Sequence, residues 1–256
     1  MAPVDAWRLS TLHFRQLWEE SDAADYPLEF AYADADVAAG ADTPRLPGLS
    51  DLTPPQRAAI DAITRPRVTI AATGLDARRD FADPRHHVRI LSATADMTTV
   101  YVARQHLGAT VDRGATVAIT QHAPSQWTHD LVGLLPRSPG AGTLTTDATV
   151  AFAPVPGFDI GTVSTVVEPR TPTAATAFAR PDPATCGSLR VQVGSIADGR
   201  RPTALEVRFR DIVDDGRYLL IVDEPGVAMG VDHKGFASML NRVVNTLRTR
   251  HRAAGD

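Results

Sequence analysis

Eight histidines, one cysteine and 30 acidic residues are the groups in this chain of 256 best suited to chemistry, and their spacings decide what each can attempt. Neighbouring His86 and His87 could start a metal site. Adjacent strand residues point to opposite faces, however, so the two imidazoles cannot chelate one ion together, and a solvated loop-to-strand junction is the plainer reading. His122, His129 and Asp130 could form an acid–base relay. The seven-residue step between the histidines lacks the i, i+3 or i, i+4 placement that sets two side chains beside each other on a helix. Cys186 has one basic neighbour, Arg190, and reads as a structural thiol rather than a nucleophile. The acidic pairs Asp34/Asp36 and Asp214/Asp215 lie in turn-like sequence, where capping and solvation dominate. No His-Glu-x-x-His, Gly-x-Ser-x-Gly, Gly-x-Gly-x-x-Gly or phosphate-loop motif occurs. On these residues no enzyme is expected, and no metal or other cofactor.

Composition narrows the classes further. The apolar share of 43% and charged share of 22% are those of a globular protein, and a net charge of −4 offers no general attraction to nucleic acid or anionic lipid. Arg248, Arg250, His251 and Arg252 form a basic tail without interleaved aromatics, the pattern of a helix C-terminus. Met1-Ala2-Pro3-Val4-Asp5 lacks a leader pattern, apolar runs are too short to span a bilayer, and a lone cysteine makes no internal disulfide. Cytoplasmic work without membrane insertion is the expectation.

The elements that must carry these residues follow from periodicity. A short strand at 6–9 runs into a helix capped by Ser10 or Thr11, with Phe14, Leu17 and Trp18 on its apolar face. Pro27 imposes an extended Tyr26–Phe30, and residues 31–50 read as an acidic loop. Thr53-Pro54-Pro55 opens a helix with Ala59, Ile60 and Ile63 inward, closed by Pro66. Strand signals at 67–71, 88–92, 98–103 and 115–119 precede a helix from about 123 to 135. The segment 137–185 reads as a linker or loose crossover, with short helix near 173–178. Strands at 189–193 and 205–209 follow, separated by a turn signal at 197–200.

The strongest unit closes the chain. Gly216–Val222 is an apolar strand, Glu224-Pro225-Gly226 a turn, and Val227–Val231 a short second strand. Asp232 then caps a helix whose Phe236, Met239, Leu240, Val243, Val244 and Leu247 make one stripe. A weaker copy precedes it: 100–102 matches 217–219, 117–119 matches 227–229, and the helix at 123–135 matches that at 233–247. An α+β fold follows, a quasi-two-fold repeat of a mostly antiparallel sheet with flanking helices. Its parts are an N-terminal half (1–136), a crossover (137–185) and a C-terminal half (186–256), packed as one domain.

The ordered set of motifs resembles the EspG family of proteins associated with type VII (ESX) secretion. The resemblance rests on Leu9-Ser10, Phe14 and Leu17-Trp18-Glu19, then Tyr26-Pro27-Leu28, then Leu52-Thr53-Pro54 before Pro66-Arg67-Val68-Thr69-Ile70. It continues through Val100-Tyr101-Val102, Leu134-Leu135-Pro136 and Gly216-Arg217-Tyr218, and is weak over 137–185. It implies a cytosolic, non-enzymatic chaperone that binds PE–PPE heterodimers at the exposed apolar tip of the PPE subunit, keeps them soluble and delivers them for export. ESX machinery components are further candidate partners; nucleic acid is not. By order of elements it places client contacts in the loop 74–87, where position alone singles out Arg78, Arg79, Phe81 and Arg85. It places others on the outer helix face, with Lys234, Ser238, Asn241, Arg242, Asn245 and Arg248. The rival reading is a small-molecule enzyme or ligand binder with a polar pocket near His86, His122 and His129.

Overall fold

The computed structural model describes residues 6–21, 23, 26–34, 46–143, 183–194, 201–222 and 228–254. Asp36, the expected helix at 173–178, the turns at 197–200 and 224–226, and most of the crossover lie outside the described residues.

The fold is α+β, built on one large and mostly antiparallel sheet. Its strands are β1 (Trp7–Ser10), β2 (Ala33–Asp34), β3 (Val68–Asp76), β4 (His87–Thr94), β5 (Val100–Leu107) and β6 (Arg113–His122). They continue as β7 (Pro183–Val193), β8 (Thr203–Ile212), β9 (Gly216–Ile221) and β10 (Met229–Gly230). The helices are α1 (Thr11–Glu20), α2 (Pro54–Thr64), α3 (Trp127–Gly133) and α4 (His233–Ala253). The sheet order is β1-β6-β5-β4-β3-β7-β8-β9-β10, with β2 parallel to β6 on the edge that β1 also uses. Thus β3 to β6 form one antiparallel meander, β7 to β10 another, and the two meet where β3 pairs antiparallel with β7.

Alternation explains the layers. Val68, Ile70 and Ala72 of β3 stand in register with Val193, Val191 and Leu189 of β7, and all are buried. On this face the sheet meets α3 through Trp127 and Leu131, and α4 through Phe236, Leu240 and Val244. The opposite face of the first meander presents Ala71, Leu91, Ala103 and Ile119 to α1 and α2 through Phe14, Leu17, Ile60 and Ile63. Each fully buried large apolar side chain contributes about 1.5–3 kcal/mol against conformational entropy. Across β7 and β8 the same face is polar, with Arg190 opposite Glu206 and Ser188 opposite Arg208.

Caps fall where the sequence puts them. Ser10 accepts a hydrogen bond from the His13 N–H, Thr53 and Gln56 form a capping box, and Asp232 accepts from Gly235. Boundaries shift more. Every strand of the first meander is longer than its apolar run, because cross-strand pairing continues through polar residues such as Asp76 and Arg104. The loop expected at 74–87 therefore reduces to 77–86, and β7 starts at Pro183, inside the expected crossover. Tyr26–Phe30 is not extended: the Phe30 N–H donates to the Pro27 carbonyl at 3.1 Å, closing a turn. Residues 31–50 are not all loop, since Ala33–Asp34 pairs with β6 and Leu49–Asp51 makes one 3₁₀ turn.

Candidate functional site

The β3–β4 loop is shaped by its own carboxylates. Arg78 donates to Asp76 from Nε and Nη2, both at 2.9 Å, and Arg85 donates to Asp83 at 2.6 Å from Nη2. These hydrogen bonds hold both carboxyls below the usual carboxylate range. The Asp80 side chain accepts from the Ala82 N–H at 2.9 Å and the Asp83 N–H reaches the Asp80 carbonyl at 3.0 Å, so the loop has an internal frame. Phe81, half-buried, meets the His87 ring edge-on at 5.1 Å, and His87 Nε2 donates to the Phe81 carbonyl at 2.7 Å. Burial pushes the His87 imidazole below its ordinary pKa. Of the positions expected to meet a client, Arg78, Arg79 and Arg85 are exposed, and Arg78 and Arg85 are tied to neighbouring carboxylates.

The second expected surface is the outer row of α4. Lys234, Ser238, Asn241, Arg242 and Asn245 are exposed and Arg248 is half-buried. The row runs the length of the sheet. At its start Phe236 packs on Phe209 with ring centroids 6.0 Å apart, near the end of β3 that feeds the 77–86 loop. At its finish His251 stands against Thr203 (3.4 Å) and Gly194, at the opposite end. Only the Lys234 end lies at the loop's end of the sheet.

Histidine placement departs from the rival reading. His86 sits in the 77–86 loop beside Asp83 at 3.3 Å. His122 lies at the far end of β6, opposite Val100, roughly 20 Å away along the strands at their ordinary rise. A pocket shared by His86, His122 and His129 is therefore not assembled. His122 instead joins Thr120 and Asp130: its Nε2 is 2.8 Å from Thr120 Oγ1 and its Nδ1 2.7 Å from Asp130 Oδ2. The order of hydroxyl, imidazole and carboxylate is that of a hydrolytic relay. Acyl transfer also needs donors converging on an oxyanion beside the hydroxyl. Thr120 Oγ1 instead faces the Val102 carbonyl at 3.4 Å, and the chain of bonds pins α3 to β6. His129 turns away from His122 to meet His233 at the start of α4.

The Gly216-Arg217-Tyr218 motif has an interior role. Arg217, 2% exposed, donates to both oxygens of fully buried Asp211 (2.6 and 2.8 Å) and to the Pro136 carbonyl (2.6 Å). Its guanidinium lies 4.7 Å from the Phe209 ring centroid, and Thr185 donates to Asp211 as well. The stretch that leaves α3 is thereby strapped across β9: Arg217 N–H donates to Gly140 and Gly142 N–H to Arg217. A Cβ on Gly216 would stand 2.5 Å from Ala141 and Gly142 atoms, and one on Gly142 would enter the Tyr218 ring. Thr143 donates to Asp215 from its N–H (2.8 Å) and hydroxyl (2.6 Å), and the Tyr218 hydroxyl donates to the same carboxylate. Burial opposes the Asp215 charge, but these hydrogen bonds outweigh it and hold the carboxyl below its usual range.

Two further polar side chains were not singled out from the sequence. Buried Gln105 accepts from the Ala31 N–H at 2.6 Å and donates to the Ala31 carbonyl at 2.9 Å, so its amide satisfies both backbone groups of Ala31. Arg89 donates to the carbonyls of Glu29 and Val111, each at 3.0 Å, and burial lowers its pKa. Together they present the 27–30 turn, with Leu28 at 89% exposure.

Among the described residues no cluster of three or more His, Cys, Asp or Glu side chains is placed to hold a metal, and no helix is long and apolar enough to cross a membrane. No protein-family profile matches the chain, and no curated protein is significantly similar to it.

Proposed function

We propose that this protein is a chaperone of the type VII (ESX) secretion pathway, of the EspG kind. In this reading it binds PE–PPE heterodimers at the apolar PPE tip in the cytoplasm, keeps them soluble and delivers them for export without catalysing a reaction. The observation that carries the proposal is the strand order. Two meanders, β3 to β6 and β7 to β10, meet antiparallel at β3 and β7, and each is followed by a helix on the same face of the sheet. That order supports the quasi-two-fold repeat that the resemblance implies, with β5 matched to β9, β6 to β10 and α3 to α4.

The client-binding surface in this proposal is the 77–86 loop with the Lys234 end of α4. Phe81 supplies an apolar contact for an apolar tip, and Arg79, Lys234 and Ser238 supply a polar rim. Covering an exposed apolar tip removes an aggregation hazard. Release requires moderate affinity, about −8 to −10 kcal/mol, which corresponds to roughly micromolar to tens-of-nanomolar dissociation constants.

Co-expression with each PE–PPE pair of the same genome, followed by gel filtration, tests the proposal. The expected result is a ternary complex with at least one pair and a higher soluble yield of that pair. Failure of the folded protein to co-elute with every pair refutes it.

A further inference from the structure

The contact between α3 and α4 brings two imidazoles together. His129 on α3 and His233, the first residue of α4, are 104 residues apart in sequence, yet Nδ1 of the first lies 3.1 Å from Nε2 of the second. His233 Nε2 is also 3.1 Å from the His129 carbonyl oxygen. The rings stand nearly edge to face, with centroids 4.3 Å apart and planes inclined by 68°. His129 is exposed and His233 half-exposed, so the pair lies at the protein surface.

We propose that His129 and His233 form a two-imidazole site for a borderline divalent transition ion such as Zn²⁺, Ni²⁺ or Cu²⁺, tying α3 to α4. With no ion bound, a proton is shared: His233 Nε2–H donates and His129 Nδ1 accepts. An ion takes the place of that proton, which is returned through solvent to His233 Nδ1, so each neutral imidazole offers one lone pair and no net proton is released. Metal–nitrogen bonds of about 2.0–2.1 Å at angles between square-planar and tetrahedral put two ligand nitrogens about 2.9–3.4 Å apart, and the observed 3.1 Å falls in that interval. Imidazole suits zinc, copper and nickel, whereas magnesium and calcium take oxygen donors.

The neighbours set the strength. Asp130, next to His129, is turned to His122 Nδ1 at 2.7 Å and is not a ligand. No third His, Cys, Asp or Glu among the described residues completes the set, so water fills the remaining positions. The positive end of the α4 macrodipole opposes a cation at His233, and the Asp232 carboxylate at the N-cap offsets part of that. Two ligands where structural zinc sites have four give roughly half their binding free energy, about 5–8 kcal/mol, which corresponds to a dissociation constant of roughly 1–200 µM.

Calorimetric titration of the full chain with ZnCl₂ and with NiCl₂ at about pH 7.5, and with MgCl₂ as a control, tests the site. One saturable equivalent of zinc or nickel and none of magnesium is expected. His129→Ala and His233→Ala each weaken binding at least about tenfold. His233→Gln, which retains an N–H donor toward His129 and so guards against a merely unfolded variant, weakens it equally, while His86→Ala leaves it unchanged. Absence of saturation below about 1 mM, or binding that persists in the folded His129→Ala/His233→Gln double variant, overturns the proposal.

Discussion

Replacing Arg217 by methionine isolates the clamp that fastens the stretch after α3 to the second meander. Arg217→Met keeps an unbranched apolar stem over Phe209 but removes the donors to both Asp211 oxygens and to the Pro136 carbonyl. Asp211 is fully buried, so its charge keeps the Thr185 hydroxyl but loses the guanidinium paired directly with both its oxygens. Breaking a buried ion pair on one side costs about 3–5 kcal/mol, a large part of the roughly 5–15 kcal/mol that holds a domain together. For a chain of this size that corresponds to a fall of roughly 6–20 °C in melting temperature. Urea denaturation followed by circular dichroism measures the loss, and a double-mutant cycle separates its cause. Adding Asp211→Leu to Arg217→Met removes the stranded charge and recovers at least about 1–2 kcal/mol, although the Thr185 hydroxyl then loses its acceptor and the Pro136 carbonyl still lacks the Arg217 donor. A single-variant loss under about 1 kcal/mol, or strictly additive effects in the double variant, refutes the account of Arg217 as a buried counter-ion.

Two further outcomes follow from buried titratable groups. His87 resists protonation in the fold because of burial, whereas the unfolded chain takes up the proton near pH 6.5, so the stability that neutral His87 allows is present above that pH and lost as pH falls below it. His87→Gln, which can still donate to the Phe81 carbonyl, should flatten the decline in unfolding free energy between about pH 7.5 and 5.5; an unchanged slope contradicts the assignment. Cys186 is pushed up to about 11 by burial, which leaves on the order of one thiol in three thousand ionised near pH 7.5. Iodoacetamide should label it slowly in the folded protein and rapidly in urea, and fast labelling without denaturant would contradict the burial.

Local physics made much of the fold legible. The caps at Ser10, Thr53 and Asp232 and the stripe from Phe236 to Leu247 are readable because each depends on residues within one or two helical turns. Strand ends are less so: the β-rich run of β5 stops at Ala103, yet the strand continues through Arg104 and Gln105 because both pair with β4 and β6. The candidate sites were the least legible part. Nothing near His129 in the sequence announces His233, and the pairing appears only once α3 and α4 lie side by side. Gly216-Arg217-Tyr218 was visible as a motif, but its meaning required Pro136, 81 residues earlier, to arrive beneath the guanidinium. The sequence places His122 and Asp130 as candidate relay partners, whereas Thr120 becomes the third member only through the hairpin geometry of β6.

The seam between β3 and β7 also dictates a history for the chain. Thr73 and Ser188, directly paired across it, are 115 residues apart, while each meander closes by comparatively short connections. Ordering so long a loop carries a closure entropy that grows with its length, so the meanders gain their internal pairing first and the seam forms late. Until then β3 and β7, the innermost strands of the finished sheet, are both open edges rich in Val, Ile and Leu, the kind of template on which foreign strands add. During synthesis the first meander emerges with its β3 edge bare until β7 follows. The interval between those two events is when this protein is itself most in need of protection from aggregation.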